Sequence, residues 1–226
     1  MKILFCFVFL LLLIGCAKKE ESPTGNTPQN GTVTDIEGNM YKTVTIGTQN
    51  WMAENLKTTK YKDGTAIPNV TDNTAWKNLI APAYCWYNND ILNKTPYGAL
   101  YNWYTVNTGK LCPSGWHVPT DEEWTVLSTY LGGLSIAGGK LKETGTGHWL
   151  NPNTGATNET GFTALPGGYR DSDNSLFVEI KTTCIWLSLS EYQNGALLRR
   201  LDYNLNNVGR GDGSKKNGCS VRCIKD

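Results

Sequence analysis

Two histidines, His117 and His148, and five cysteines at or beyond Cys85 are the side chains best suited to hold a metal or attack a substrate. A zinc site needs three or four such ligands at short spacing. Neither histidine has a second His or Cys at ligand spacing. His117 stands in Trp116-His117-Val118-Pro119, on the way into a helix, and reads as structural. No phosphate-cradling glycine loop and no nucleophile elbow occurs in the chain. Asp121, Glu122 and Glu123 form an acidic triplet, but Thr120 stands before them and Glu123 three residues after it. That is a capping box, and the triplet suits the positive end of a helix dipole. Asp171 and Asp173 flank a turn and read as Asx-turn residues. The residues imply no catalytic set, no metal and no cofactor.

Binding chemistry is better represented. The stretch from Tyr192 to Lys216 carries Tyr192, Asn194, Tyr203, Asn204, Asn206, Asn207, Arg210 and Asp212. Asn amides pair with sugar hydroxyls or peptide groups, and Tyr adds contact area at low entropy cost. These eight residues are the candidate ligand-binding set; a solvated hairpin is the alternative. The chain has eight Trp and eleven Tyr against five Phe, three of which are Phe5, Phe7 and Phe9. Trp and Tyr suit half-wet sites and sugar stacking, and they also plug loops onto a core.

The N-terminus states a location. Lys2 precedes an unbroken apolar run from Ile3 to Ile14. The run is shorter than the roughly 20 residues of a membrane span and has the length of a signal-peptide core. Leu13-Ile14-Gly15-Cys16 follows and resembles the bacterial lipobox. Residues 1–15 are expected to be a lipoprotein signal peptide, and Cys16 the lipidated first residue of the mature chain. Each buried methylene of such an anchor contributes ~0.8 kcal/mol. Residues 16–31 are rich in Lys, Glu, Pro, Gly and small polar residues and read as a flexible tether. The charges after Cys16 resemble the surface-export signals of Bacteroidetes lipoproteins. The expected location is the outer membrane, lipid-anchored, on either its periplasmic or its cell-surface side.

Residues 32–226 are enough for one domain with a full core. Removing Lys2 takes the formal charge from +1 to 0, which leaves no electrostatic footprint for nucleic acid. After Cys6 and Cys16 are set aside, Cys85, Cys112, Cys184, Cys219 and Cys223 remain. An exported protein can form disulfides, and an odd count leaves at least one thiol unpaired within the chain.

The elements that must position these residues are mostly strands and loops. Alternation over Tyr41–Ile46, after a Glu37-Gly38-Asn39 turn, predicts a strand that continues as a hairpin into Gln49–Met52. Tyr97–Tyr104 fits a strand or a short helix. The clearest helix starts at the Thr120 cap, places Trp124, Leu127, Ser128 and Leu131 on one face and stops at Gly132-Gly133. A second short helix over Ile136–Glu143 is weakened by Gly138-Gly139. Gly161–Asp171, Thr182–Ser190, Leu197–Leu205 and Ser220–Ile224 read as strand segments. The expected class is α+β.

Five motifs occur in order: C-P-S-G-W-H-V-P-T-D-E-E-W from Cys112, G-G-K-L-K-E-T-G-T from Gly138, G-F-T-A-L-P-G-G-Y-R from Gly161, W-L-S-L-S-E-Y from Trp186 and G-C-S-V-R-C from Gly218. With D-I-E-G-N-M-Y and Q-N-W-M-A-E-N-L ahead of them, they closely resemble the Fibrobacter succinogenes major paralogous domain, common in Bacteroidetes lipoproteins. The resemblance runs from about Val33 to Asp226. It implies a C-type lectin-like fold shared with formylglycine-generating enzymes: a twisted antiparallel sheet, two helices and long irregular loops. It also implies a disulfide from the start of the first helix to the last strand, where Cys112 and Cys223 stand, and allows a second between Cys184 and Cys219, with Cys85 free. Trp86–Asp90 only partly matches the Trp-Asn-Asp element of calcium-dependent lectins, and the Pro-containing partner loop is missing. In lectin-like folds the late strands carry the ligand face, and some lectin-fold lipoproteins are diversified there by retroelements. The expected function is non-enzymatic binding or adhesion to a glycan or protein outside the cell. A structural subunit of an envelope complex is the alternative, and a formylglycine-generator-like enzyme a minor one.

Overall fold

The computed structural model describes Met1 and residues 31–226. The rest of the expected signal segment, Cys16 and the expected tether up to residue 30 lie outside the described residues, and Gly31, expected as the tether's end, already belongs to the first strand. The domain opens on β1 (Gly31–Thr34), β2 (Met40–Ile46) and β3 (Gln49–Met52). The turn before β2 closes because the Asp35 carboxylate accepts the Glu37 and Asn39 amides at 2.9 and 3.0 Å, with Gly38 at φ 82°. A loop region follows with α1 (Asn73–Lys77), β4 (Tyr84–Cys85), α2 (Lys94–Tyr97), β5 (Leu100–Tyr101) and α3 (Trp103–Val106). The ambiguous aromatic run thus holds helix, strand and helix in succession. Next come β6 (Trp116–His117), α4 (Asp121–Tyr130) and α5 (Leu134–Leu141). The last part is β7 (Gly167–Arg170), β8 (Phe177–Ile180), β9 (Thr183–Tyr192), β10 (Gly195–Asp202), β11 (Gly209–Gly213) and β12 (Ile224–Lys225).

Two five-stranded sheets, ordered β1-β2-β3-β12-β6 and β11-β10-β9-β7-β8, organise the molecule, with a small β4-β5 pair beside them. All strand pairs are antiparallel except β7 with β9. The class is α+β. Strands β2 and β9 feed two cores from their two faces, as the two-residue period requires. Tyr41, Ile185 and Leu187 enter one cluster; Val44, Ile46, Cys184 and Trp186 enter the other. The second is rich in rings, with Trp51, Trp124, Phe162 and Trp186 packed at centroid distances of 4.7 to 6.1 Å. Among the described residues no helix is long and apolar enough to cross a membrane.

Helix α4 carries the full capping box: Thr120 Oγ1 accepts the Glu123 amide, and the Glu123 carboxylate accepts the Thr120 amide. Helix α5 starts two residues earlier than its sequence suggests and keeps Gly138 and Gly139 inside it. They are there for close approach. A Cβ on Gly138 would meet the Asn207 carbonyl at 2.3 Å, and one on Gly139 would meet Asn206 Oδ1 at 2.0 Å.

Several boundaries move. The Leu197 strand ends at Asp202, the Gly161 segment becomes a strand only at Gly167, and β11 is an element its glycines concealed. Ser220–Ile224 is not a strand over its length. It threads between strands: the Ser220 amide donates to Ile185, Leu56 donates to Val221, and Met52 donates to Cys223. Only Ile224 and Lys225 join a sheet.

Cys112 and Cys223 are bonded, with Cα atoms 6.0 Å apart. Cys184 and Cys219 are not; both are free and buried, as is Cys85. Trp186 bridges Ser220 in parallel, which puts Cys219 on the Ile185 face. Cys184 is one residue away and faces the other core. Side-chain alternation, rather than distance along the chain, forbids that bridge.

Candidate ligand-binding site

The eight candidate residues do not form one surface. Strand β10 is eight residues long, so its ends are ~23 Å apart. Tyr192 and Asn194 are exposed at the β9–β10 turn, and Asp212 lies beside them, opposite Leu197. Tyr203, Asn204, Asn206 and Asn207 follow the other end of β10. Arg210 sits between the groups and is already engaged. It faces Arg199 across the β10–β11 pair, and two like charges so placed repel. Asp121 resolves this. Its carboxylate accepts Arg199 Nη1 at 2.6 Å and Arg210 Nη2 at 2.9 Å. Burial raises the Asp121 pKa, but hydrogen bonds from Arg210 and Arg199 outweigh it and hold the carboxyl below its usual range. Asp121 is therefore more than a helix-start charge, and Arg210 is a tie between α4 and β11.

Asn206 is also structural. Its backbone carbonyl accepts the Gly139 amide at 3.1 Å, and the Val208 amide donates to Leu134 at 2.7 Å. The segment after β10 is thereby glued to α5. Lys142 completes the fixture from beneath. Its Nζ is buried and donates to the carbonyls of Thr154, Asp202 and Leu205 at 2.8, 3.1 and 2.8 Å. Three acceptors match an ammonium's three donors. Burial pushes its pKa down to about 8, against the opposing pull of Cys184 and Asp202.

This scaffold shapes an open dish of about 390 Å³ at the end of β10, lined by Glu179, Thr182 and Thr183, by Arg200 and Asp202, and by Tyr203, Asn204 and Leu205. Of the sequence candidates it contains Tyr203 and Asn204. Arg200 is its centre. Nε donates to both Asp202 oxygens at 2.9 and 3.0 Å, and Nη2 lies 2.9 Å from Glu179. Burial lowers the Arg200 pKa, but Asp202 and Glu179 more than restore it, so the guanidinium stays charged. Thr183 Oγ1 donates to Asp202 at 2.8 Å. Tyr203 is held on both sides of its peptide, donating to Thr182 and accepting from Thr154, both at 2.8 Å. Glu179 and Lys181 adopt φ of 62° and 67°. Non-glycine residues rarely stay there unless their surroundings hold them, and such strain gathers at ligand sites. Arg200 and Asp202 were missed in the sequence. Their i, i+2 spacing on one strand, which puts both on one face, was the available signal.

The other candidates for chemistry are accounted for locally. His117 bonds Asp226 through Nδ1 at 2.6 Å and Glu123 through Nε2 at 2.8 Å. Burial works against its charge, but Asp226 and Glu123 win and raise its pKa. His148 Nδ1 bonds Glu143 at 2.8 Å. Asp171 Oδ1 accepts the amides of Asp173 and Asn174 in an Asx turn. In the Trp86–Asp90 segment, Asp90 accepts the Leu92 amide at 2.9 Å. Among the described residues no three His, Cys, Asp or Glu side chains stand together as metal ligands. Burial pushes the Cys85 and Cys219 thiols up to about 12, and Cys184 higher still.

The family model described as the Fibrobacter succinogenes major domain matches residues 44–225. No curated protein and no solved structure matches the chain.

Proposed function

We propose that this chain, which belongs to the Fibrobacter succinogenes major domain family, is a non-enzymatic lipoprotein of the outer membrane that binds a glycan through the dish at the end of β10. The Leu13–Cys16 lipobox supports a lipid anchor on Cys16, with the tether carrying the domain away from the membrane and toward the cell surface. The mostly antiparallel strands, the adjoining α4 and α5 and the long loops between β3 and β6 support a C-type lectin-like fold, although the strands form two five-stranded sheets and three further short helices are present. The observation that carries the reading is the fixed polar set of the dish: Arg200, Asp202 and Thr183 in one hydrogen-bonded array, with Glu179 ion-paired to Arg200 and Tyr203 beside it. Hydroxyl-rich ligands need donors and acceptors already held in place, because preorganisation removes the ordering cost of binding. The high thiol pKa values speak against nucleophilic cysteine chemistry, since the thiolate is the reactive form.

A glycan array probed with the full chain in detergent tests this. Binding to a defined glycan class is expected, weakened about tenfold by Tyr203→Ala, a loss of about 1.4 kcal/mol. Blank arrays, or binding indifferent to both Tyr203→Ala and Arg200→Ala, refute it.

One observation favours the second reading, an assembly subunit. Val126 and Tyr130 of α4 and Leu134 and Ile136 of α5 are large, apolar and exposed. A co-purifying envelope partner lost on Tyr130→Ser would move the assignment there.

A further inference from the structure

A second recess, of about 170 Å³, is walled by Glu54, Asn55, Thr95, His148 and Thr163, with Arg222 lining its depth. Arg222 is 1 % exposed. A cation so deep normally has a carboxylate against it, because an unpaired buried charge is costly. Among the described residues Arg222 has no ion-pair partner. It donates instead to neutral oxygens: Nε to Asn55 Oδ1 at 2.9 Å, Nη1 to the Phe162 carbonyl, and Nη2 to the Thr163 carbonyl at 2.8 Å. Its face is stacked on Phe162 at 4.1 Å. A guanidinium has five N–H donors, so these three bonds leave one N–H free on each terminal nitrogen. Burial pushes its pKa down to about 9, as expected for a cation short of countercharge.

The walls are arranged to keep that charge open. Asn55 cannot turn away, because its carbonyl also accepts Trp186 Nε1 at 3.0 Å and its amide donates to Tyr97 and Ser220. Glu54 is committed elsewhere: it accepts the Lys42 amide at 2.9 Å and pairs with Lys57 at 3.4 Å. Thr163 is β-branched yet sits at φ 54°, held by the Asn158 side chain at 2.8 Å from its amide. That strained residue forms the wall next to the guanidinium. His148 stands on the wall with Nδ1 on Glu143, and its Nε2 has no hydrogen-bond partner among the described residues.

We infer that this recess is a binding site for a carboxylate group, with the terminal N–H groups of Arg222 taking its two oxygens and His148 Nε2 beside them. A guanidinium with a free N–H on each terminal nitrogen matches a planar carboxylate. The carboxylate can come from an acidic sugar or from a peptide C-terminus. This site is separate from the β10 dish and does not depend on it.

Calorimetric titration of the full chain in detergent tests the inference. The probes are glucuronic acid and N-acetyl-dialanine, with glucose and N-acetyl-dialanine amide as neutral controls. Arg222 also supports the core, so the test variant is at the exposed wall: Thr95→Trp fills the mouth. Saturable binding of at least one acid is expected, with neither control binding. Thr95→Trp should weaken it about tenfold or more without moving the thermal midpoint, and Tyr203→Ala should leave it unchanged. Which acid binds identifies the source. Binding of neither acid, equal binding of the neutral analogues, loss of acid binding in Tyr203→Ala, or wild-type affinity in Thr95→Trp overturns it.

Discussion

Gly139→Ala separates two physical effects of opposite sign. Gly139 lies within α5 and has no positive φ, so its backbone would accept alanine. Helix propensity alone makes the change stabilising by about 1 kcal/mol. The surroundings reverse that. The new Cβ would meet Asn206 Oδ1 at 2.0 Å and the Gly155 carbonyl at 2.2 Å. Asn206 has a side chain that can turn, but Gly155 presents backbone. Relief therefore requires the Asn206 segment or the Gly155 loop to lift from α5. Overpacking of this kind costs about 1–3 kcal/mol, and lifting the segment also loses the Gly139–Asn206 hydrogen bond, worth about 1 kcal/mol. The net expectation is a loss of about 1–3 kcal/mol after the propensity gain is subtracted. Urea denaturation followed by tryptophan fluorescence measures it as a lower midpoint at unchanged slope. Asn206→Gly in the same chain should recover only part of the loss, because the Gly155 contact remains. A midpoint raised by the single substitution would refute the close-packing account of the two glycines. It would also remove one support of the dish, the close attachment of the Asn206 segment to α5.

Reduction of Cys112–Cys223, or Cys112→Ser, frees a loop of 111 residues; the chain-entropy model expects a loss of ~5 kcal/mol. At 2–4 °C per kcal/mol for a domain of this size, calorimetry should record a fall of ~10–20 °C, and a fall of only a few degrees contradicts it. Asp121→Asn leaves the buried Arg199 without its carboxylate and should cost about 3–5 kcal/mol in urea titrations. The wild-type pH dependence follows with its sign. The Asp121 pKa is lowered by folding, so its stabilisation is present above the unfolded value and lost as pH falls through the folded one. His117 runs the other way. Its pKa is raised, so its contribution is complete below about pH 6.5 and lost as pH rises through the folded value. Thermal midpoints across acidic to mildly alkaline pH should show both limbs, the acid limb shrinking in Asp121→Asn, with Glu37 and Asp63 keeping part of it, and the alkaline limb shrinking in His117→Gln.

Local patterns made parts of the domain legible in the sequence. The Thr120–Glu123 cap, the β2–β3 hairpin and the Asp171 turn are each decided within a few residues, so the chain states them directly. The candidate site was legible only in part. Tyr203 and Asn204 reach the dish, but the Asn206 backbone carbonyl is tied to α5 and the Arg210 guanidinium to α4, which lie far away along the chain. Nothing in the late segment announces Lys142, whose three acceptors come from two loops and the end of β10, or Arg222, whose partners lie some 60 and 167 positions away.

By itself, then, the sequence determined the α+β class, the start of α4 and the 112–223 disulfide pairing that its family resemblance implied. The tertiary structure decided which polar residues are free for a ligand. It also decided that Cys184 and Cys219 never meet, because adjacent positions on a bridged strand point into different cores. The division follows from range. Caps and turns are set by neighbours in the chain, whereas the availability of a charged or amide group depends on what the fold brings against it.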